Sequence, residues 1–523
     1  MKLRKILQGV ETIGNGENQN IEITGLSYHS KETEEGNLFF CIKGYETDGH
    51  QYLQHAVNNG AVAAVVEDIQ PGIAVPQIRV KNSRVALARS GANFYDHPSK
   101  KLNTIGITAT NGKTTTSFMA HKILKDRQLE AGIIGTVMVQ YGDQKIPSLL
   151  TTPESLDLQK HFSNMVREKV SHVTMEVSSS AQELHRVEGV DFDIVTLNNI
   201  SREHIDSHGS FQRYFEVKSR LITRAKEDSA AVLNLDDPYS KGLMNKTKAK
   251  VFTFGIEDAG GDFSVKDLDL STGRGVFTLV VQRDLQHKGV LIPRGEIKIN
   301  LSVPGFHSVY NSVVAAIIGL LSGVDKEGIQ KSLKAFRGVE RRFEFIYEEA
   351  FKIVDDHFAN GGNIHMTLGT LKEMNYNKLH VLYAIRGKRG IAVNKENAEA
   401  LVQWLPKLGV DELLATESRS HVMEKDRVTQ EERRVFQEVT RRAGIPTTII
   451  KELPQAIEAV LQKAEAGDVV LLAGCQGMDY GGEIALRLLV QGKPPAEQQR
   501  ILAPLQDRVA GIEQRPEKEA PSS

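Results

Sequence analysis

The sequence predicts an α/β protein of three domains: a small N-terminal α/β domain, a central P-loop domain with a mostly parallel sheet, and a C-terminal Rossmann-like domain. Three observations carry this. The 523-residue length is more than one compact core holds. Apolar β-branched runs alternate with helix-period stretches, the pattern of parallel strands covered by helices. Finally, Thr104 to Thr116, TIGITATNGKTTT, reads as strand, phosphate loop and helix, with the helix opening near Lys113.

In residues 1–100, strand-like runs at 21–28, 37–42 and 61–66 accompany a helical stretch at 85–95. The loop from Lys43 to His50 follows an apolar run. Hairpin chemistry explains it, although Gly44, Asp48 and His50 at a strand end would also suit a nucleotide or sugar. In residues 101–336, strands are expected at 104–109, 172–177, 192–198 and 230–235, with helices at 113–126 and 211–225. Residues 256–302 mix alternating and turn residues and are expected to be antiparallel, before two helices at 309–321 and 326–336. In residues 337–510, strands at 351–355, 379–385, 412–416, 447–450 and 468–474 alternate with helical stretches. No G-x-G-x-x-G is present there, so no dinucleotide is assigned. The charged, proline-bearing tail, 511–523, is expected to be disordered.

Composition narrows the partners. The 65 basic and 66 acidic side chains leave a formal charge of -1, which offers no attraction to nucleic acid or an anionic membrane; small-molecule substrates are expected. Cys41 and Cys475 form no metal or redox pattern and fit a reducing compartment, so the cytoplasm is the default. No segment reaches the roughly 18 apolar residues of a membrane helix, and the N-terminus lacks a signal-peptide apolar region, so a soluble protein is expected.

The chemistry-bearing residues cluster at strand ends, where ligands of parallel sheets gather. Asn111, Gly112, Lys113, Thr114 and Thr115 form the loop: its N–H groups suit polyphosphate oxygens, Lys113 adds a point charge and Thr114 a hydroxyl for Mg²⁺. The general G-x-x-x-x-G-K-[ST] spacing needs glycine at 107, where this chain has Ile107, so a strand-to-helix turn with a solvated lysine is the alternative. Glu176 ends an apolar strand as a candidate Mg²⁺ ligand or an arginine's partner. The loop from Asn198 to Gly209 contains two histidines and two acids. A second cation could sit there with His204, and Lys218 would become a ligand only if carbamylated.

In order, ITATNGKTTT, TTPE, MEVSSSAQELHRVEGVDFD, NNISREHIDSHG, YFEVKSRL, NLDDP, GFHSVYN and GVERRFE resemble the Mur ligase family. Within it they are most similar to the ligases that extend a UDP-N-acetylmuramoyl-dipeptide, as does the N-terminal ITGLSYHSKETEEGNLFFCIKGYETDGH. The resemblance runs through about the first 345 residues. It implies a monomeric ATP-dependent amide ligase with UDP-sugar, ATPase and amino-acid domains. Asn111, Lys113 and Thr114 would hold ATP and Mg²⁺, Glu176 and His204 metals, and Lys218 would match a carbamylated lysine. Asn311, Arg342 and Asp356 would contact the nucleotide. Ser30, Gly44, Asp48 and His50 would face uridine diphosphate, and Thr151, Thr152, Ser178 and Arg186 the muramoyl-peptide.

The pattern is broken at several places. Ala109 stands for a glycine, Glu203 for an aspartate and Ser180 for a histidine; Ala359 and Gly361 replace a histidine and a proline. The D-N-P-R pattern is missing from Thr416 to Ser420, and G-K-G-H-E survives loosely as Gly474 to Asp479. Arg419 and Asp479 remain candidate substrate contacts, with a solvated basic face as the alternative for Arg419. Two further readings follow: a ligase of a specialised natural-product or polymer pathway, and a non-catalytic binding homologue suggested by Ala109 and Ala359.

Overall fold

The computed structural model describes residues 1–14, 20–44, 47–201, 209–271, 274–506 and 508. These divide into two compact units. The first comprises Met1–Lys266, Leu279–Ile297 and Tyr310–Ser332; the second comprises Asp267–Thr278, Lys298–Val309 and the chain from Leu333 onward.

The first unit opens with four strands, β1 (Gly25–Ser27), β2 (Asn37–Phe40), β3 (Ala63–Val66) and β4 (Gln77–Arg79), parallel and in sequence order. Every residue of β2 and β3 is buried, as continuous apolar runs such as AAVV require when both faces are covered. Helix α1 (Ser83–Phe94) follows, capped by Asn82, whose side chain accepts from the N–H groups of Arg84 and Val85.

The larger sheet of this unit is built around β5 (Asn103–Thr108), which feeds helix α2 (Lys113–Asp126). The strands β6 (Ala131–Ile134), β7 (Met138–Tyr141) and β8 (Gln144–Pro147) come next. They precede helix α3 (Ser155–Arg167), β9 (His172–Glu176) and β10 (Ile194–Leu197). Helix α4 (Phe211–Thr223) leads to β11 (Ala230–Asn234) and β12 (Lys250–Gly255). The order β12-β11-β10-β5-β9-β6 is parallel throughout, and β7 and β8 continue it as antiparallel strands. Register brings Ile107 of β5 beside Glu176 of β9 and Thr108 beside Leu197 of β10, so the loops after three strands emerge together.

The antiparallel expectation for 256–302 is corrected in part. β13 (Phe263–Asp269) runs parallel to β12 through Phe254 and Phe263, whereas β15 (Leu285–His287) and β16 (Val290–Ile292) form an antiparallel hairpin. In β14 (Arg274–Val281) burial alternates residue by residue, the mark of a strand covered on one face. The strand β17 (Gly295–Pro304) precedes helix α5 (Phe306–Leu321).

The second unit contains a six-stranded sheet, ordered β18-β19-β23-β20-β21-β22. Its strands are β18 (Glu344–Glu348), β19 (Lys352–Asp356), β20 (Leu379–Ala384), β21 (Leu413–Thr416), β22 (Thr447–Ile450) and β23 (Val469–Ala473). All pairs are parallel except the edge pair β18–β19. Among the described residues no helix is long and apolar enough to cross a membrane. The tail 511–523 and His204 lie outside the described residues.

Candidate active site

The loop after β5 is shaped by one glycine. Gly112 has a φ of +89°, a left-handed conformation that glycine adopts without penalty, and a Cβ there would stand 2.3 Å from Asn311 Oδ1. It is the N-cap of α2, so Lys113, Thr114 and Thr115 occupy the helix's first turn, where unpaired N–H groups favour anions. Ala109, one of the departures noted in the sequence, is fully buried and is not among the positive-φ residues, so its backbone conformation does not demand glycine. Its carbonyl accepts from two ammonium groups, Lys113 Nζ and Lys218 Nζ, each at 2.8 Å. Lys113 also donates to Thr110 O at 3.0 Å.

Lys218 is 2 % exposed and reaches the loop from α4, with its ammonium 5.0 Å above the Tyr214 ring. The Tyr214 hydroxyl in turn lies 3.0 Å from Thr110 Oγ1. On the other side, Asn311 of α5 is within 3.2 Å of Thr116 Oγ1 through Oδ1, while its buried Nδ2 has no hydrogen-bond partner among the described residues. An orphaned buried donor beside a phosphate loop fits a ligand that brings an acceptor.

Glu176 is fully buried at the end of β9. Oε2 accepts from Thr114 Oγ1 at 2.8 Å, and Oε1 accepts from the Thr136 N–H at 2.8 Å. The Thr136 hydroxyl is 3.0 Å from Oε2 and 3.1 Å from Thr151 Oγ1. Gly135 permits this approach, since a Cβ there would meet Glu176 Oε1 at 2.4 Å. One carboxylate and one hydroxyl are what Mg²⁺ takes from a protein when phosphates and waters complete its shell. Among the described residues no group of three or more His, Cys, Asp or Glu side chains could hold a metal.

The network continues into the predicted peptide-binding residues. Thr152 Oγ1 donates to Glu176 O at 2.8 Å and accepts from the Ser178 N–H at 3.2 Å. Arg186 pairs with Glu154 at 2.8 Å and donates to Thr152 O at 3.2 Å; Arg84 holds Glu154 from α1 at 3.2 Å. Asn199, which sequence reasoning did not single out, exchanges two 3.0 Å bonds with the main chain of Asn111. Thr136 was missed too. Asn199 lies within the quoted NNISREHIDSHG stretch, whereas Thr136 lies outside every quoted motif and only the adjoining strand end marks it.

In the N-terminal part the described residues on either side of Tyr45 and Glu46, which lie outside the described residues, pair with each other. Lys43 and Asp48 form an antiparallel bridge, and Gly44 N–H donates to Thr47 O at 2.8 Å. His50 uses both ring nitrogens within the protein: Nδ1 lies 2.6 Å from Asp48 Oδ1, and Nε2 accepts from the N–H groups of Glu67 and Asp68. Against the effect of burial, these bonds from His50 hold the Asp48 carboxyl below its ordinary value. His50 therefore fixes the loop's shape, and Ser30 is buried nearby, its carbonyl accepting from Asn59 Nδ2 at 2.8 Å.

In the second unit, Asp356 is saturated: it accepts from the N–H groups of Phe343 (3.1 Å) and His357 (2.8 Å) and from the Thr367 hydroxyl, while burial raises its pKa. Arg342 is half-buried beside it. Asp479 is paired with buried Arg341, which also holds Asp355 at 3.3 Å; burial pushes Asp479 up to about 6 against the pull of that arginine. Arg419 is half-exposed and donates to Glu417 Oε2 at 2.7 Å, a carboxylate shared with Arg433 at 3.1 Å. An ≈ 580 Å³ pocket has Asp479 in its lining, with His421, Met423 and Tyr480, whereas Arg419 does not line it. The structure thus gathers Lys113, Thr114, Glu176, Lys218, Asn311, Thr151, Thr152, Ser178 and Arg186 in one network of the first unit. Arg342, Asp356, Arg419 and Asp479 belong to the second.

Known proteins match the whole span of this architecture. The chain matches the Mur ligase family catalytic domain over residues 22–95, the Mur ligase middle domain over 107–319, and the Mur ligase glutamate ligase domain over 341–476. It is 34% identical over 478 residues to the UDP-N-acetylmuramoyl-L-alanyl-D-glutamate–2,6-diaminopimelate ligase of Caldanaerobacter subterraneus subsp. tengcongensis, covering 91% of this chain and 94% of that one. The protein of the same name from Bacillus velezensis is 34% identical over 463 residues, 87% of this chain and 89% of its own. Among solved structures, a ligase of that name superposes with a TM-score of 0.65 at 22% identity, over 94% of this chain and 99% of its own. MurF ligase from Thermotoga maritima in complex with ADP superposes with a TM-score of 0.60 at 20% identity, over 90% and 98%. At such identities the structures speak for the fold alone.

Proposed function

The chain belongs to the Mur ligase family, and on that premise we propose that it is an ATP-dependent ligase that joins an amino acid to the carboxylate of a UDP-N-acetylmuramoyl-peptide, releasing ADP and phosphate. The observation that carries this reading is the convergence, at the ends of β5 and β9, of two lysine ammonium groups on Ala109 O with the Thr114–Glu176 pair.

A carboxylate is a poor electrophile, so the reaction needs activation. The acceptor's carboxylate oxygen attacks the γ-phosphorus of ATP, the bond to ADP breaks, and an acyl phosphate forms. The amine then attacks the acyl carbon, loses a proton, and phosphate departs. Lys113 can exchange its two main-chain carbonyls for charge-assisted bonds to phosphate oxygens and spread the charge of the transition state. The loop N–H groups and Asn311 Nδ2 orient the same group. Thr151, Thr152, Ser178 and Arg186 would position the acceptor peptide. Bound Mg²⁺, held by Thr114 and Glu176, would supply charge neutralisation at the phosphates. A carbamylated Lys218, with His204, would hold a second cation.

In this reading residues 1–100 bind the UDP-sugar, 101–336 bind ATP and 337–510 present the amino acid, in the cytoplasm and as a monomer. A second reading, in which the same chemistry serves a specialised pathway with another amine or carboxylate, is favoured by one observation: Arg419, in the segment from Thr416 to Ser420 where D-N-P-R is missing, is already tied to Glu417.

The test is phosphate release by the full chain with ATP, a UDP-muramoyl-dipeptide and a panel of amino acids including diaminopimelate. Amino-acid-stimulated release is expected, and Lys113→Ala should lower it by about 100-fold or more. No stimulation by any member of the panel sinks the peptidoglycan version, and turnover with other carboxylates would move the chain to the specialised one.

A further inference from the structure

The first unit carries a second polar concavity, a groove of ≈ 510 Å³. Its walls are α1, the last turn of α4, and the segment from Gln182 to Phe192. Val187, Val190, Phe192 and Leu221 make part of the surface apolar. Four cations, Arg89, Arg220, Arg224 and Lys226, line it, and the one carboxylate among the lining residues is Glu188.

That carboxylate is heavily shared. Glu188 lies 3.0 Å from Arg89, 3.6 Å from Arg224 and 4.0 Å from His185 Nδ1. Contact with His185 first, and with the two arginines, holds it down to about 2 although burial opposes this. Lys226 is paired with Asp191. Arg220 has no ion pair among the described residues; its guanidinium donates to one main-chain carbonyl, Gln182 O, at 3.3 Å. A guanidinium carries five N–H donors and stays charged, so this one is under-used.

A second, independent feature points the same way. Gln182 is 5 % exposed, lines the groove, and its buried Nε2 has no hydrogen-bond partner among the described residues. A buried donor left without an acceptor is costly, so such atoms normally meet a ligand or water. Glu183 and Glu216 act on Arg220 only at longer range, so the lining's four cations against one carboxylate, together with the unpaired Gln182 donor, suit an acceptor-rich anion.

The groove is separate from the phosphate loop. Lys218 and Arg220 are two residues apart on α4, so their side chains leave the helix about 200° apart. Lys218 reaches Ala109 O and Arg220 reaches Gln182 O. The volume exceeds that of a bare ion and falls in the range of small-molecule sites.

We propose that this groove binds a small anionic metabolite, its phosphate or carboxylate held by Arg220, Arg224 and Gln182 and its apolar body lying against Phe192 and Leu221. Calorimetric titration of the full chain with phenyl phosphate, benzoate and inorganic phosphate tests it. Tightest binding of phenyl phosphate assigns a phosphate ester, and tightest binding of benzoate a carboxylate. The double substitution Arg220→Gln/Arg224→Gln is expected to weaken the preferred probe by about tenfold or more, whereas Lys113→Ala leaves it within about twofold. Gln182→Met, which removes the donor without removing charge, should weaken it about threefold to tenfold and decides the matter if the double variant fails to fold. Binding by none of the three probes, or binding abolished by Lys113→Ala and retained in the groove variants, overturns the proposal.

Discussion

The strand ends of the two units handle charge in opposite ways. After β5 and β9, one carboxylate and two lysines are embedded among hydroxyls, amides and main-chain groups, and Asn311 keeps a donor without an acceptor among the described residues. After β19 and β23, charges face charges: Arg341 holds Asp355 and Asp479, and buried Arg508 pairs with Asp355 and stands 3.7 Å from both Glu340 and Glu344. The difference teaches where ligand chemistry can be performed. Among the described residues, the first site's lysines and Glu176 meet hydroxyls and main-chain groups, bonds that a phosphate can take over. The buried ion lattice fixes a shape even though Arg508 Nε and Nη1 lack hydrogen-bond partners among the described residues, and breaking it exposes uncompensated charge to a low dielectric.

Removing one polar partner should therefore be felt differently in the two places, chiefly as stability in the second unit and chiefly as turnover in the first. Arg341→Met is expected to destabilise the second unit by about 3–5 kcal/mol in urea unfolding, because fully buried Asp355 keeps only Arg508 and two carbonyls lose their donor. A loss below about 1 kcal/mol would dissolve the distinction, since surface ion pairs already account for that much. In the phosphate region the corresponding change is Thr136→Val, which keeps shape and removes the hydroxyl 3.0 Å from Glu176 Oε2. Turnover of ATP should fall about tenfold with a stability loss of about 0.5–1.5 kcal/mol, since one hydrogen bond is lost while Oε2 keeps Thr114 Oγ1 and Oε1 keeps the Thr136 N–H. Unchanged turnover in a steady-state assay would show that Glu176 is oriented by other groups.

The same contrast governs what could be read from the chain. Parallel strands such as β10 (IVTL) and β23 (VVLLA) are legible because two covered faces leave continuous apolar runs, and the carboxyl ends of β5 and β9 mark the phosphate loop and Glu176, whereas Arg186 comes from the family resemblance. Helix α3 carries a further legible signal, since Leu158, Phe162 and Met165 repeat at helical spacing and are buried. β13 follows β12 in parallel across residues 256–262 alone, a connection shorter than the crossover parallel strands ordinarily need, so the hairpin-like spacing of the sequence points the other way. Thr136 has no such signal, and Asn199, although inside the NNISREHIDSHG stretch, matters through a partner on another strand end. Arg341 and Asp479 meet across 138 residues, which no local pattern encodes.

A smaller effect sharpens the comparison through pH. Burial pushes Glu344 up to about 7 from 4.5, and Arg508 opposes this only in part. A carboxyl whose folded pKa is raised contributes stability that is full below its unfolded pKa and is lost as pH rises through the folded value, here from 4.5 to about 7. His121 and His307, pushed down to about 4 by burial, give the opposite slope below 6.5, so the wild-type curve mixes the two. The difference between wild type and Glu344→Gln isolates the carboxyl. Thermal midpoints from pH 4.5 to 8 should show wild type losing stability relative to the variant as pH rises, and a flat difference would remove Glu344 from the lattice's titration.

The smallest expected change is at Ala109, where the sequence departs from glycine. Because its φ is ordinary and its carbonyl, not its side chain, receives Lys113 and Lys218, Ala109→Gly restores no conformation that the loop lacks. It mainly enlarges the unfolded ensemble, which should lower stability by about 0.4–1 kcal/mol. ATP turnover should stay within about twofold of wild type, since no hydrogen bond is lost. A rise in turnover of about tenfold or more would mean that the Ala109 methyl group obstructs the phosphates, a barrier difference of about 1.4 kcal/mol. In that event the neutral, exchangeable character assigned to the first region would hold for its hydrogen bonds but not for its packing.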